Sequence, residues 1–162
     1  MIDDDFIFSV YINEKALEDI KKICKKNDLE VFGYLVGERF SWKGQKYVII
    51  ENHLYLEGAV HSDKYSFSQM EGTKGKYAIE FQKLKRISNN ENLLTIGWWH
   101  SHPGFGCFLS EVDLLTQEVI FYKPYHIALV VDPKKDTFNF FTLDKNSKNG
   151  YKPINYAIIS SA

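Results

Sequence analysis

The chain has 162 residues, of which 44% are hydrophobic and 25% are charged, a composition typical of one globular domain covering residues 1–162. Its 20 basic and 21 acidic residues give a formal net charge of -1, which provides no electrostatic reason to expect a nucleic acid or a membrane surface as partner. Two cysteines and an acidic N-terminus without a long apolar run predict a cytoplasmic protein with no disulfide scaffold, no signal peptide and no transmembrane helix.

The first half of the chain predicts a strand, a helix and two further strands. Residues 6–12 mix aromatic and β-branched side chains, which favours a strand. Asn13 is a candidate N-cap for a helix that runs to about residue 27. Residues 31–40 are apolar but contain two glycines, which predicts a strand with close neighbours, and residues 47–56 predict a third strand.

The second half alternates predicted helices and strands. Residues 58–75 are polar and aromatic without a clear period, and we assign them no element. The elements after them are a helix over 76–88 with Ile79, Leu84 and Ile87 on one side, a strand over 93–99, a helix over 110–121, and a strand pair over 125–132 and 137–143. This order mixes hairpins with crossover helices, so we predict an α/β fold with a mixed β-sheet flanked by helices.

The segment GWWHSHPGFGCFLSEVDLLTQ contains a pattern typical of a metal site. His100 and His102 are two residues apart at the end of a predicted strand, so their side chains should point to the same face. Pro103 takes the chain out of the sheet, and residues 104–109 contain two glycines that permit a sharp turn. Asp113 then falls in the first turn of the next helix, where its carboxylate can reach the histidines. Two imidazoles, one carboxylate and an open position for water are typical of catalytic zinc.

Two other interpretations of the same residues compete with the metal site. An H-x-H pair by itself is more often structural, and Ser110-x-x-Asp113 also fits a capping box. One hydroxyl cannot fully serve the helix backbone and a substrate together. Cys107 could be imagined as a ligand or nucleophile, but free cysteines are usually buried structural thiols. The conjunction of His100, His102, Ser110 and Asp113 favours the metal site.

The same spacing resembles the JAMM motif of the JAB1/MPN metalloproteases. That motif is matched by HSHPGFGCFLS followed by Asp113, and the segment EVFGYLVG at residues 30–37 is similar to a second family motif. The resemblance extends over roughly residues 8–143 and includes VVDP at 130–133. Phe108 departs from the pattern, because the catalytic subunits of the COP9 signalosome and the proteasome lid usually carry Trp there. The resemblance implies the MPN/JAB1 fold, which is of the cytidine-deaminase type.

The family's roles transfer onto individual residues of this chain. The resemblance implies that His100, His102 and Asp113 hold Zn²⁺, that Glu30 is the general base, and that Ser110 hydrogen-bonds the oxyanion. It also implies an isopeptidase that cleaves after the C-terminal glycine of ubiquitin or a ubiquitin-like protein, with conjugation enzymes as further partners. The chain ends soon after its last predicted strand, so we expect a compact, prokaryote-style member, for example from a bacterial antiviral operon.

Substrate binding is expected in residues 58–75, where the family holds the extended tail of the modifier. Residues 60–67 could become an edge strand that adds main-chain hydrogen bonds to that tail, with Val60, Tyr65 and Phe67 as contacts. A surface loop without function is the alternative, because loops of this composition are common.

Three alternatives to the isopeptidase remain open. The chain could be a JAMM peptidase acting on another small protein tail such as a sulfur carrier, or an inactive MPN scaffold that only binds partners. Scaffolds typically lose the residues that are present here. A zinc deaminase is less favoured because the H-x-E and P-C-x-x-C segments of that class do not occur in the sequence.

Overall fold

A computed structural model describes residues 8–56 and 72–160. Eight strands and three helices occur in these two ranges. In chain order they are β1 Val10–Asn13, α1 Glu14–Lys26, β2 Phe32–Trp42, β3 Gln45–Leu54, α2 Lys74–Ser88, β4 Leu94–Ser101, α3 Glu111–Val119, β5 Ile127–Asp132, β6 Thr137–Leu143, β7 Tyr151–Pro153 and β8 Tyr156–Ile159.

All eight strands belong to one mixed sheet, in the order β7-β6-β5-β4-β2-β3-β1-β8. β2 is antiparallel to both β3 and β4, whereas β4 is parallel to β5. The crossover between these two parallel strands contains α3, so the start of that helix lies near the end of β4. The predicted α/β fold with a mixed sheet is confirmed. None of the helices in the described ranges is long and apolar enough to cross a membrane.

The sheet separates two apolar clusters, and neighbouring tryptophans of β4 belong to different ones. Trp99 packs with α1 residues such as Leu17 and Ile20, while Trp98 packs with Phe121, which follows α3. Both indoles are fully buried, because helices cover both faces of the sheet. Alternation along β4 therefore assigns each side chain of the Trp-Trp-His-Ser-His run to a defined face.

Gly33 shows why β2 carries a glycine beside β4. A Cβ atom at this position would lie 2.4 Å from Cε2 of Trp99 and 2.5 Å from the carbonyl oxygen of Leu54. Any side chain would therefore force Trp99 or β3 to move. The prediction that the glycines of this strand mark close neighbours is confirmed.

Helix α1 begins as predicted, but α2 packs on a different face. The Asn13 side chain accepts hydrogen bonds from the N–H groups of Lys15 and Ala16, as expected of an N-cap. In α2, Ile79 is 60% exposed and Ile87 is 83% exposed, so they are not the packing face. Tyr77 provides it instead, stacking on the ring of Tyr34 at a centroid distance of 3.7 Å. The orientation of this helix is therefore set by aromatic packing and not by the spacing of its isoleucines.

The C-terminal residues add two strands that the sequence did not predict. β7 pairs with β6, and β8 pairs in parallel with β1 at the other edge of the sheet. Both are only three or four residues long, so they provide little periodicity to detect. β5 begins at Ile127, two residues later than predicted, because the N–H of His126 closes a turn on the carbonyl of Lys123.

Candidate metal centre

The two histidines lie at the carboxyl end of β4, on the face of the sheet that α3 covers. His100 is the penultimate residue of the strand, and His102 follows it while its N–H still bonds the carbonyl of Val131 in β5. Ser101, between them, points the other way, and its Oγ accepts a hydrogen bond from the N–H of Val31. β4 extends two residues beyond its predicted end, so the alternation that aims both imidazoles in one direction continues through them.

Asp113 is the third residue of α3 and forms a capping box with Ser110. The N–H of Asp113 donates to Ser110 Oγ at 3.1 Å, and the N–H of Ser110 donates to Asp113 Oδ2 at 3.0 Å. From the sequence, the capping and metal interpretations of these residues compete. In the structure, the cap fixes Asp113 in the orientation that brings its carboxylate to the histidines. Ser110 Oγ accepts a hydrogen bond in the cap and keeps its own proton available for donation.

The three side chains form a compact polar group inside the protein. Asp113 Oδ2 lies 3.0 Å from Nε2 of His100 and 3.0 Å from Nε2 of His102. Their exposed fractions are 0%, 0% and 2% for Asp113, His100 and His102. One ligand atom from each lies within 4.8 Å of the others, and no other group of three His, Cys, Asp or Glu residues in ranges 8–56 and 72–160 meets that criterion.

This group has a donor set that fits a zinc ion. Two imidazole nitrogens and one carboxylate oxygen are standard zinc ligands, and they leave a position for water. Buried charged groups are costly unless they are paired or bind a metal, so their convergence in the interior needs such a reason. The residues therefore could hold a metal ion.

His102 is oriented through its second ring nitrogen. Its Nδ1 lies 3.1 Å from the carbonyl oxygen of Gly106, which can only accept, so Nδ1 carries the proton and Nε2 faces the group. Burial lowers the pKa of His102, but the hydrogen bond and charge of Asp113, the charge of Glu30 and the Gly106 carbonyl together raise it above its usual value. The neighbouring carboxylates thus favour a cation at this position.

Glu30 reaches the same region through the pairing of β2 with β4. Phe32 pairs with His100, and the N–H of Ser101 donates to the carbonyl of Val31 at 3.0 Å. Continuing this antiparallel register by one residue sets Glu30 opposite His102. Glu30 is far from His100 and His102 in the sequence, so only the resemblance to a family singled out this glutamate.

Trp98 packs against the ring of His100, and Gln117 binds the Trp98 indole. The sequence did not identify this pair as part of the site. The Trp98 ring stacks on His100 at a centroid distance of 4.2 Å with 18° between the planes. Trp98 Nε1 donates to Gln117 Oε1 at 2.6 Å, and the Gln117 amide donates to the carbonyls of Phe121 and His126. The available signal was the position of Gln117, one turn after Asp113 on the helix.

We expect Gln117→Leu to lower the free energy of unfolding by about 1–3 kcal/mol, because it leaves the buried Trp98 N–H without an acceptor. Chemical denaturation monitored by tryptophan fluorescence measures this change. Gln82→Leu, on the exposed side of α2, is the matched control and should change stability little. Equal stability of the two variants would contradict a structural role for Gln117.

The predicted substrate contacts and Cys107 are the remaining residues singled out from the sequence. Val60, Tyr65 and Phe67 lie outside the described residues. Cys107 was expected to be a buried structural thiol, but it is only half-buried. Its Sγ lies 3.6 Å from Thr137 Oγ1. Burial raises the pKa of this thiol, so it is not activated as a nucleophile.

Comparison with known proteins identifies the family. The family model described as JAB1/Mov34/MPN/PAD-1 ubiquitin protease matches residues 7–123. COP9 signalosome complex subunit 5 from Candida albicans is 34% identical over 143 residues, covering 82% of this chain and 21% of the relative. The subunit 5 from Yarrowia lipolytica is 42% identical over 138 residues, covering 82% of this chain and 36% of the relative.

The fold has a solved counterpart as well. The solution structure of protein DSY2949 from Desulfitobacterium hafniense has a TM-score of 0.63 and 16% sequence identity, with 94% of each chain covered. At that identity the likeness shows the fold alone. The chain spans 21% and 36% of the length of the two curated relatives above, which are therefore much longer proteins. From the match over residues 7–123 and these relatives, the chain belongs to the JAB1/Mov34/MPN/PAD-1 ubiquitin protease family.

Proposed function

We propose that this protein is a zinc-dependent isopeptidase that cleaves the bond after the C-terminal glycine of ubiquitin or a ubiquitin-like protein. The observation that carries the proposal is the buried group of His100, His102 and Asp113 in a chain of this family. The group lies at the carboxyl end of β4 and the start of the crossover helix α3, an edge of the sheet where α/β proteins commonly bind ligands.

In this proposal, Nε2 of both histidines and Oδ2 of Asp113 would hold Zn²⁺. The atoms already converge, and the Gly106 carbonyl and the capping box orient two of the three side chains before any ligand binds. Such orientation favours binding because little further ordering is needed. When bound, zinc acts as a Lewis acid that lowers the pKa of a water molecule to about 7.

Glu30 acts as the general base in the proposed reaction. Its carboxylate takes a proton from the attacking water and returns it to the leaving amine, which must be protonated before it departs. Support comes from the β2–β4 register, which sets Glu30 opposite His102, and from its electrostatic influence on that histidine.

Ser110 stabilises the negative charge that develops on the carbonyl oxygen of the scissile bond. Its oxygen accepts the N–H of Asp113 in the capping box, which holds the side chain in place while the hydroxyl proton remains available. A fixed donor at a developing oxyanion contributes a few kcal/mol to catalysis, about 3 in measured cases.

The surface beside the metal centre offers apolar contacts for a protein substrate. Phe105 is 68% exposed, and Phe108 is 41% exposed with its ring 4.7 Å from that of His102. Exposed aromatic side chains are favoured in protein–protein contacts. Val60, Tyr65 and Phe67 stay proposed contacts to the extended modifier tail, and conjugation enzymes stay proposed partners.

Incubating the zinc-loaded protein with a panel of ubiquitin-like proteins that carry C-terminal extensions tests the proposal. We expect at least one member to be cut after its terminal glycine, as measured by the mass of the products. A zinc chelator should abolish this cleavage and added Zn²⁺ should restore it, because the water needs the Lewis acid.

Cys107→Ser is the control that separates metal from thiol chemistry. We expect this variant to retain activity, since the pKa of the Cys107 thiol is raised by burial. Cleavage that survives the chelator, or that disappears in the serine variant while zinc and fold are intact, would contradict the proposed mechanism. Absence of cleavage across the panel with zinc bound would favour the scaffold alternative.

A further inference from the structure

Asp132 joins the loop of the metal centre to the turn after β5. Its buried carboxylate accepts four backbone hydrogen bonds. Oδ1 accepts from the N–H groups of Lys134 and Lys135, at 3.0 and 3.1 Å, and these two bonds close the turn that follows β5. The other two bonds come from Gly104 to Oδ1 at 2.9 Å and from Gly106 to Oδ2 at 2.8 Å.

The two glycines that Asp132 binds both have left-handed backbone conformations. Gly104 and Gly106 have φ values of +84° and +85°, in the left-handed region that glycine tolerates without strain. Two N–H groups that point inward at one carboxylate fix the loop, which otherwise has much conformational freedom.

The anchored loop ends in a direct contact with a metal-site histidine. The carbonyl of Gly106 lies 3.1 Å from Nδ1 of His102, and the N–H of the same residue is bound by Asp132 Oδ2. Asp132 also follows Val131, whose carbonyl accepts the N–H of His102 at 2.8 Å. The backbone and the ring of His102 are therefore both positioned by the end of β5.

We propose that Asp132 is a positioning residue for the metal centre. Its carboxylate holds Gly106 so that the Gly106 carbonyl keeps the proton of His102 on Nδ1 and presents Nε2 as the ligand atom. Hydrogen bonds from such outer partners fix the ring and raise ligand basicity. This inference rests on the proposed function for its zinc, but the loop geometry can be measured in the metal-free protein.

A turn cap that only stabilises the fold is the competing explanation for the same contacts. Asp132→Asn separates the two explanations, because the amide keeps the shape and replaces one acceptor oxygen by a donor. With its oxygen at the Oδ1 position, the amide still accepts from Lys134, Lys135 and Gly104. Its NH₂ group then meets the Gly106 N–H, so the bond that positions the Gly106 carbonyl is the one lost.

The matched control is Asp144→Asn. Asp144 caps a similar turn by accepting hydrogen bonds from the N–H of Asn146 and the hydroxyl of Ser147, and neither of these partners contacts His100, His102 or Asp113. If caps matter only for folding, both variants should lose stability and neither should change the metal centre.

Zinc affinity, measured by competition with a chromophoric chelator, is the first readout. We expect Asp132→Asn to weaken it about 10- to 100-fold, the range found for outer partners of metal ligands, and Asp144→Asn to leave it unchanged. The second readout is the ¹H,¹⁵N spectrum of His102 in the metal-free protein. The native protein should show a hydrogen-bonded Nδ1–H, and Asp132→Asn should lose it.

Native zinc affinity and an unchanged His102 spectrum in folded Asp132→Asn would overturn the positioning role while leaving the proposed function intact. A native protein that binds no zinc would instead overturn the proposed function, and the His102 spectrum would still decide the inference. If Asp132→Asn does not fold, amide exchange in the native protein decides it. The Gly104 and Gly106 amides should be protected although the loop lies at the surface, and fast exchange at both would refute the anchor.

Discussion

Replacing His100 or Asp113 by alanine is expected to abolish zinc binding and isopeptidase activity together. Each residue offers one of three possible ligand atoms that lie within 4.8 Å of one another, and two protein ligands hold zinc far more weakly than three. The loss should be nearly complete, because without zinc the water keeps its ordinary high pKa. Elemental analysis of the purified variants and the cleavage assay measure the two effects.

Asp113 needs a second variant because it also caps α3. Asp113→Ala removes the acceptor for the Ser110 N–H, which by itself costs about 1 kcal/mol of stability. Asp113→Asn can keep that cap but replaces the anionic ligand with a neutral amide, so zinc should be lost with little unfolding. Glu118→Ala, on the exposed face of the same helix, is the control. Full zinc content in both the His100 and Asp113 variants would refute the ligand assignment.

Glu30→Gln is expected to keep zinc and fold while lowering kcat by about 10²–10⁴-fold, the usual contribution of a general base. The amide has nearly the same size and shape as the carboxylate, but it cannot accept the proton from the attacking water. Steady-state kinetics on the fusion protein that is cleaved best measures this change, together with elemental analysis for zinc. Asp28→Asn, an exposed carboxylate two residues earlier, should have no such effect.

The two outcomes for Glu30 lead to different conclusions. Turnover at the native rate in Glu30→Gln would show that another group accepts the proton. Loss of zinc in that variant would indicate that Glu30 helps to hold the metal, and its separate role as a base would then lack support.

The metal-site histidines were predictable because their geometry is local. The spacing of His100 and His102 fixes a common face in any strand, and the structure places both on the α3 side of the sheet. Asp113 was predictable for the same kind of reason, since the third position of a capped helix points back toward its start. Local patterns therefore predicted which three side chains converge and the approximate direction in which each points.

Glu30 and Asp132 show where local reasoning ends. Glu30 is one of 21 acidic residues, and only the resemblance of residues 30–37 to a family motif distinguishes it. The register of β2 on β4, extended one residue past the bond between Val31 and Ser101, sets it opposite His102. Asp132 lies in VVDP, and its bonds to the N–H groups of Lys134 and Lys135 are local. Its bonds to Gly104 and Gly106 form only because β5 pairs with β4.

Packing between helices and strands explains the remaining differences between the predicted and the observed structure. The exposed isoleucines of α2 follow a helical period, but Tyr77 stacks on Tyr34 and turns that side of the helix to the sheet. The last two strands are too short to show a period, and each is stabilised by a partner far from it in sequence. In such places the energy of long-range contacts exceeds local preference.

Local patterns in the sequence were enough to predict the α/β fold, three candidate metal ligands and the first turn of the helix that carries Asp113. Three contacts depended on the folded chain: the strand register that brings Glu30 toward His102, the bond from the Gly106 N–H to Asp132, and the bond from the Trp98 indole to Gln117. The two groups of features differ in the range of the interactions that produce them. Strand alternation and helix capping act over two to four residues, whereas the supports of the site join segments of the chain that meet only after the sheet has formed.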